Sequence, residues 1–216
     1  MNQTAGSAVF VKTIGLSPLK TRLAKTKGES WAHEFYRRSC LGVESVLQSV
    51  DGLASYWAVA EGEKAFASWS GLSTMEQGSG ELGSRLDFVY KRLLSQYQMG
   101  ILLGADAPQV SKNLFTKAIE WGRDGSFVMG PAKDGGFYLL LGSQDVSASI
   151  WESVPYSAIN TCESLAKNLE SIAPVKYLPE LGDVDYEEDL EQLVSDLSSL
   201  DSPTAEQISL LNWLQN

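Results

Sequence analysis

The chain has a single histidine, two cysteines, and 17 lysines and arginines against 27 aspartates and glutamates in 216 residues. One histidine leaves no triad of Ser, His and Asp to assemble on conventional lines. His33 falls on a predicted helix, far in sequence from the acidic turns discussed below, and reads as a helix-surface residue. Cys40 and Cys162 fit neither a metal spacing nor a disulfide framework; both fall in predicted helices, the ordinary place for buried thiols. The net charge of −10 argues against a nucleic-acid surface, which needs clustered Lys and Arg, but leaves room for a small basic pocket for a phosphorylated metabolite. No apolar run approaches the roughly 20 residues that span a bilayer. Ala8 to Val11 is too short for the apolar core of a secretory signal. The expectation is a cytoplasmic protein with neither membrane nor nucleic acid as partner. Linkers, internal repeats and low-complexity tracts are also missing, so residues 1–216 read as one domain.

What is present is centred on Met99 to Gly142. Ile101 to Leu103 is apolar at every position and stops at Gly104-Ala105-Asp106-Ala107-Pro108. Such a run suits a parallel strand buried on both faces; periodicity alone also admits a buried helix, and the shortness and flanking glycines favour the strand. Asp106 then lies just past the strand's carboxyl end, where open α/β sheets bind ligands. Ser111 is a predicted N-cap for a helix over Lys112 to Trp121. Ser126 to Met129 and Phe137 to Leu141 are further strands, joined through Asp134-Gly135-Gly136 without a helix between them, which predicts one antiparallel member.

On either side, strands alternate with helices. Strands are predicted at Ser7 to Lys12, Tyr56 to Ala60 and Val175 to Leu178, with a short strand or extended piece at Trp69 to Met75. Helices are predicted at Glu29 to Val50 with Gly52 as its cap, from Leu82 to Tyr97, and over Val146 to Glu152, Ala158 to Ile172, Glu187 to Leu197 and Thr204 to Leu214. Thr13 to Leu23 reads as a loop. The pattern predicts an α/β fold, a mixed and mainly parallel sheet with helices on both faces.

Three constellations bear on chemistry. Lys12, Lys20 and Arg22 leave the first strand at the sheet's carboxyl edge, where a guanidinium fork and an ammonium point charge suit phosphate oxygens. The glycine spacing of a P-loop is missing. Asp106, with one further carboxylate among Asp134, Asp183 and Asp185, could hold a divalent cation on a pyrophosphate, an ion that needs only one or two carboxylates besides substrate oxygens. Each acidic turn also has a structural account: an Asx turn at Asp106, a tight turn at Asp134, a helix N-terminus at Asp183 to Asp185. Gln77 to Arg85, with Gly78, Gly80 and Gly83, precedes a helix N-terminus that offers an anion a place to dock, or is a flexible surface loop.

In order along the chain, Phe10 to Thr13, Lys20 to Ala24, Gln77 to Arg85, Gly104 to Pro108, Gly130 to Leu140 and Leu178 to Asp185 resemble the DUF2064 family of bacterial and archaeal glycosyltransferase-like proteins. That family includes arsenosugar-biosynthesis and radical-SAM/selenodomain-associated transferases, and the resemblance spans about Val9 to Leu190. The family is similar to type A glycosyltransferases and nucleotidyltransferases, so the resemblance implies a Rossmann-like nucleotide-diphospho-sugar transferase fold. The Lys-Thr-Arg segment also resembles that of phospholactate guanylyltransferases. The resemblance implies Lys12, Lys20 and Arg22 as phosphate binders, with Gly78, Gly80 and Arg85 shaping the nucleotide or sugar pocket. It implies Asp106 as ligand to Mg2+ or Mn2+ with Asp185, Asp106 and Asp134 as the catalytic pair, and Gly135, Gly136 and Asp183 on the acceptor side. Ile14 stands where the family has Pro, Tyr186 where it has a small hydroxyl residue, and Tyr156 near a usual Trp. The implied activity is transfer from a nucleotide-sugar donor to an unidentified acceptor. The alternatives are nucleotidyl transfer from a triphosphate to a phosphorylated acceptor, or nucleotide binding without turnover.

Overall fold

Strands that are apolar at every position need cover on both faces, and the arrangement of this chain supplies it. The structure is a computed structural model that describes residues 4–216. Its strands are β1 (Ala5–Val11), β2 (Leu53–Val59), β3 (Ser73–Glu76), β4 (Met99–Gly104), β5 (Phe127–Pro131), β6 (Phe137–Gly142) and β7 (Val175–Tyr177). They form one sheet in the order β3-β2-β1-β4-β6-β5-β7. β6 runs antiparallel to its neighbours β4 and β5, and every other pairing is parallel. Six strands therefore end on one edge, and β6 begins there. That single reversal puts the turn after β4 and the turn before β6 side by side.

The helices are α1 (Thr21–Lys27), α2 (Glu29–Gln48), α3 (Leu82–Leu94), α4 (Lys112–Gly122), α5 (Ala148–Glu152), α6 (Thr161–Leu169), α7 (Asp189–Ser198) and α8 (Ala205–Leu214), with a 3-10 turn at Glu63–Ser68. Alternate residues along each central strand go to opposite faces. Val9, Ile101, Leu103 and Leu139 pack with Val43 and Leu47 of α2 and Phe115 of α4. Ala8, Leu102, Leu140 and Met129 pack with Leu86 and Leu93 of α3, Trp151 of α5 and Leu165 of α6. A third cluster, holding Leu23, Phe35, Leu193 and Leu210, binds α1 and α2 to α7 and α8. The fold is the mixed, mainly parallel α/β sheet that the sequence predicts, with β6 as the antiparallel member.

Local details differ from the expectation. The segment Thr13 to Leu23 is not all loop: α1 begins at Thr21, so Arg22 is helical, and Lys20 just before it is left-handed at φ 43°. Leu23 is the only buried side chain of this short helix, which therefore carries no apolar period to read. Only Ser73–Glu76 of the extended piece is strand; Trp69 instead packs on Trp57, with ring centroids 5.0 Å apart. α2 ends at Gln48 with Ser49 as its cap, and Gly52 takes its positive φ in the turn that follows. Ser111 caps α4 as predicted, accepting from the Leu114 N–H at 3.3 Å.

α8 starts with a capping box, Thr204 and Gln207 satisfying each other's backbone. The buried Gln207 amide also donates to the carbonyls of Pro108 and Val110, both at 2.8 Å, and so fixes the turn that follows Asp106. Gln207→Leu leaves both carbonyls without that donor. It is expected to lower the unfolding free energy by roughly 2–4 kcal/mol, read as a drop in urea midpoint at constant m-value. An unchanged midpoint would show that the turn does not depend on α8.

Candidate functional site

Two loops that are remote in sequence meet over the carboxyl edge. The first leaves β1 and is held down by Glu61, which follows β2. The Glu61 carboxylate accepts from the Thr13 N–H at 3.1 Å and from the Ser17 hydroxyl, while the Trp69 indole donates to the Thr13 hydroxyl at 3.0 Å. The Lys12 N–H donates to the Tyr36 hydroxyl of α2 at 3.0 Å. The second loop, Leu178 to Asp185, continues the line of β7 beside β5: Leu181 donates to the Pro131 carbonyl at 3.1 Å, and Lys133 donates back to Leu181 at 3.0 Å. This extension carries Asp183 to the turn that bears Asp134.

Lys20 ties the loops together. Its side chain is only 4% exposed; the ammonium donates to the Val184 carbonyl at 2.6 Å and lies 2.9 Å from Asp106 and 3.9 Å from Asp185. Arg22 pairs with the other oxygen of Asp185 at 2.6 Å, and its guanidinium lies over the Tyr186 ring at 5.3 Å. A cavity of about 660 Å³ opens here, with Lys12, Lys20, Arg22, Asp106, Asp134 and Asp185 all in its walls. That volume suits a nucleotide-sized ligand. A smaller crevice of about 160 Å³ runs beyond Asp106 and is lined by Asp134, Gly136 and Asp183.

The chain thus brings together most of the residues singled out from sequence. Asp134 is exposed, and one of its oxygens accepts from the Gly136 N–H at 2.8 Å, so the tight-turn account of this segment holds alongside any chemical one. Gly135 has φ 90°, and a Cβ there would stand 2.0 Å from the Ile159 carbonyl oxygen; glycine is required by backbone packing. Gly78, Gly80 and Arg85 lie elsewhere on the edge, beyond β3. Gly78 lines a separate open groove, and Arg85 donates to the Gly80 carbonyl at 2.8 Å. His33 is partly exposed on α2 beside Glu29, and Cys40 and Cys162 are buried and free. Burial pushes the Cys162 thiol up to about 11, in keeping with a structural thiol.

Two residues, Ser157 and Gln109, escaped the sequence reading, and a third, Gln77, entered it only as the start of the Gln77 to Arg85 segment. Gln77 is buried where β1 and β2 end and donates to the carbonyls of Val11 and Ala58. Ser157, at φ 61°, reaches the wall of the large cavity. Gln109 is buried beside Gly182. Amide side chains that bridge distant backbones leave no periodic signal; only the position of Gln109 three residues after Asp106 pointed to it.

The donor set fits a divalent cation. Asp106 Oδ1 is buried and is ion-paired with the Lys20 ammonium at 2.9 Å, outside hydrogen-bond geometry. Burial raises the Asp183 carboxyl first of all, and the neighbouring Asp134 and Asp185 charges raise it further. Among the described residues no three His, Cys, Asp or Glu side chains gather as a complete metal cage. Two carboxylates completed by substrate oxygens and water match the way Mg2+ is usually held on phosphates.

Glu61 gives this loop a pH dependence. Burial raises its carboxyl, but the hydrogen bonds from Ser17 and Thr13 outweigh burial and hold it below the usual carboxylate range. A depressed native pKa contributes stability that is present above the unfolded value of about 4.3 and is lost as pH falls through the native one. Glu61→Gln is expected to cost roughly 1–2 kcal/mol at pH 7, with the gap to wild type closing as unfolding is measured toward pH 3. A gap independent of pH would assign the loop's anchoring to other contacts.

Comparison with known proteins follows the same lines. No curated protein matches the chain in sequence. A structure from Desulfovibrio desulfuricans G20, named provisionally as a nucleotide-diphospho-sugar transferase, matches with a TM-score of 0.87 at 21% identity, covering 100% of this chain and 96% of the other. A cytidylyltransferase from Leptospira borgpetersenii matches at 0.58 and 14% identity, covering 99% and 94%. The 4-diphosphocytidyl-2C-methyl-D-erythritol synthase of Anaerococcus prevotii matches at 0.57 and 12%, covering 99% and 97%. At these identities the likeness establishes the fold, that of nucleotide-diphospho-sugar transferases and cytidylyltransferases. A family model matches residues 45–158, just over half of the chain, including Gln77 to Arg85, Asp106 and Asp134 but not Lys12 to Arg22 or Asp183 to Asp185. The chain belongs to DUF2064, a family of uncharacterized proteins conserved in bacteria.

Proposed function

We propose that the protein is a metal-dependent transferase that takes a glycosyl group from a nucleotide-sugar donor. The observation that carries this reading is the large cavity at the carboxyl edge, of nucleotide size and walled by Lys12, Lys20 and Arg22 together with Asp106 and Asp185. The structural neighbours named nucleotide-diphospho-sugar transferase and cytidylyltransferase support it at the level of fold.

In this reading Lys12, Lys20 and Arg22 bind the phosphates, and Asp106 and Asp185 hold Mg2+ or Mn2+. When bound, the ion neutralises charge on the diphosphate and so eases its departure. The anomeric carbon loses its bond to the diphosphate oxygen and gains one to the acceptor hydroxyl oxygen. The hydroxyl proton passes to a carboxylate, Asp134 or Asp183, both of which line the crevice beyond Asp106. Gly78, Gly80 and Arg85, which the resemblance assigns to the nucleotide or sugar pocket, border a groove of their own beyond β3 and are given no step in this reading.

A second reading is nucleotidyl transfer. Three cations in one cavity can hold a triphosphate as readily as a diphosphate sugar, with pyrophosphate as the leaving group. Thermal unfolding with nucleotide sugars and with nucleoside triphosphates, each with Mg2+, Mn2+ or EDTA, separates the two. A ligand at 100 times its dissociation constant adds about 2.7 kcal/mol to stability. The expected result is a metal-dependent shift with a nucleotide sugar that Asp106→Asn abolishes. A shift confined to triphosphates supports the second reading, and a flat panel overturns both.

A further inference from the structure

Beside the large cavity, whose walls carry three cations and three carboxylates, lies a second one of about 340 Å³, which shares Arg22, Asp134 and Asp185 with it. Here carboxylates predominate. Six carboxylates, those of Asp134, Asp183, Asp185, Glu188, Asp189 and Asp196, line it against two cations, Arg22 and Lys133. Arg22 is already committed to Asp185 at 2.6 Å, and Lys133 is exposed. Five of the six carboxylates come from the loop after β7 and from α7, and the sixth, Asp134, comes from the β5–β6 turn.

An acidic surface alone would say little, but this cavity also has an orphaned acceptor. Gln109 lines it and is only 3% exposed. Its amide nitrogen donates to the Gly182 carbonyl at 2.6 Å. A carbonyl can face only the NH2 end of the amide, so the hydrogen bond fixes which way the side chain is turned. Oε1 is then left buried with no hydrogen-bond partner. A buried acceptor in that condition costs free energy until a donor reaches it.

We propose that this second cavity receives the acceptor of the transfer reaction, and that the acceptor is a non-anionic molecule presenting hydroxyl or ammonium donors to Gln109 and the surrounding carboxylates. The assignment rests on the donor reading above, because the shared walls Asp134 and Asp185 are what place the second cavity against the first. It goes further by excluding a class. A phosphate or carboxylate on the acceptor would meet walls where, with Asp185 paired to Arg22, five carboxylates remain against the one cation of Lys133, and like-charge contact is an effective means of rejecting a partner. Phosphorylated acceptors are thereby disfavoured, whichever group is transferred.

The test is saturation-transfer NMR with three probes, glucosamine, glucose and glucose 6-phosphate, on the free protein and on protein loaded with Mg2+ and the nucleotide chosen by the thermal panel. Glucosamine and glucose are expected to bind, with glucose 6-phosphate at least about tenfold weaker. Gln109→Leu is expected to weaken the two phosphate-free probes several-fold. The exposed substitution Glu188→Lys, which leaves the buried packing intact, narrows the discrimination against glucose 6-phosphate. Glucose 6-phosphate binding as tightly as glucose, silence from all three probes, or affinities unmoved by both substitutions overturns the proposal. The nucleotide's own signals in the same samples report on the donor cavity: sugars that bind as described beside a nucleotide that does not bind would sink the donor reading alone.

Discussion

The buried ammonium of Lys20 is the contact on which the rest of the site depends. Taking a lysine charge out of water costs several kcal/mol, and the expense is offset here only because three acceptors converge on it: the Val184 carbonyl, Asp106 and, at longer range, Asp185. Those acceptors come from β4's exit turn and from the loop after β7, so one side chain holds the amino-terminal loop against a central turn and a carboxyl-terminal loop. The left-handed backbone at Lys20 is strain of the kind that persists only where surrounding contacts over-determine it. Removing the ammonium would leave Asp106 Oδ1 buried with nothing facing it.

What allows those contacts to form is the reversal of β6. In a wholly parallel sheet, a crossover would separate the turn after β4 from the next element beside it. Here Leu103 pairs with Leu139, so the chain enters β6 at the same level at which it leaves β4, and Asp134 comes down beside Asp106. The β5–β6 turn is then locked from outside, where the Gly135 carbonyl accepts from the Cys162 N–H at 2.8 Å and the Ile159 carbonyl fills the space of a side chain. α8 holds the turn after Asp106 from the opposite side through Gln207. Both carboxylate-bearing turns are therefore fixed by segments that contribute no side chain to the proposed chemistry.

The sequence revealed the parts of this arrangement that are local. Apolar runs of three to five residues, each ended by glycine and aspartate, located β4 and β6 and their turns, because a strand buried on both faces has no other composition available to it. The missing helix between β5 and β6 disclosed the antiparallel member. α1 stayed hidden because a seven-residue helix with one buried side chain has no period to detect. The pairing of Lys20 with Asp106 and Asp185 could not be read at all, since it joins residues whose separation in the chain carries no periodic trace. The same holds for Gln109 and Gln77, whose partners are backbone carbonyls, a group every residue possesses. Gly78, Gly80 and Arg85 formed a plausible anion loop by composition; in the folded chain that loop faces its own groove, and Arg85 turns back to Gly80.

The division of charge along the sheet edge explains how a chain of net charge −10 can still offer a place for phosphates. The cations enter from the β1–α1 loop, and the excess carboxylates enter from the far end of the chain, between Asp183 and Asp196. Asp106, on the central strand, and the Arg22–Asp185 pair stand at the boundary between the two fields. Because these charges stand on loops and turns at the edge, they could change without disturbing the sheet beneath them. The fold fixes where two ligands can meet, and the side chains of these two loops decide what they are. Likeness of backbone to transferases of several kinds is therefore compatible with a substrate pair specific to this chain, and the different charge balance of the adjoining cavities is the feature by which that pair is most directly constrained.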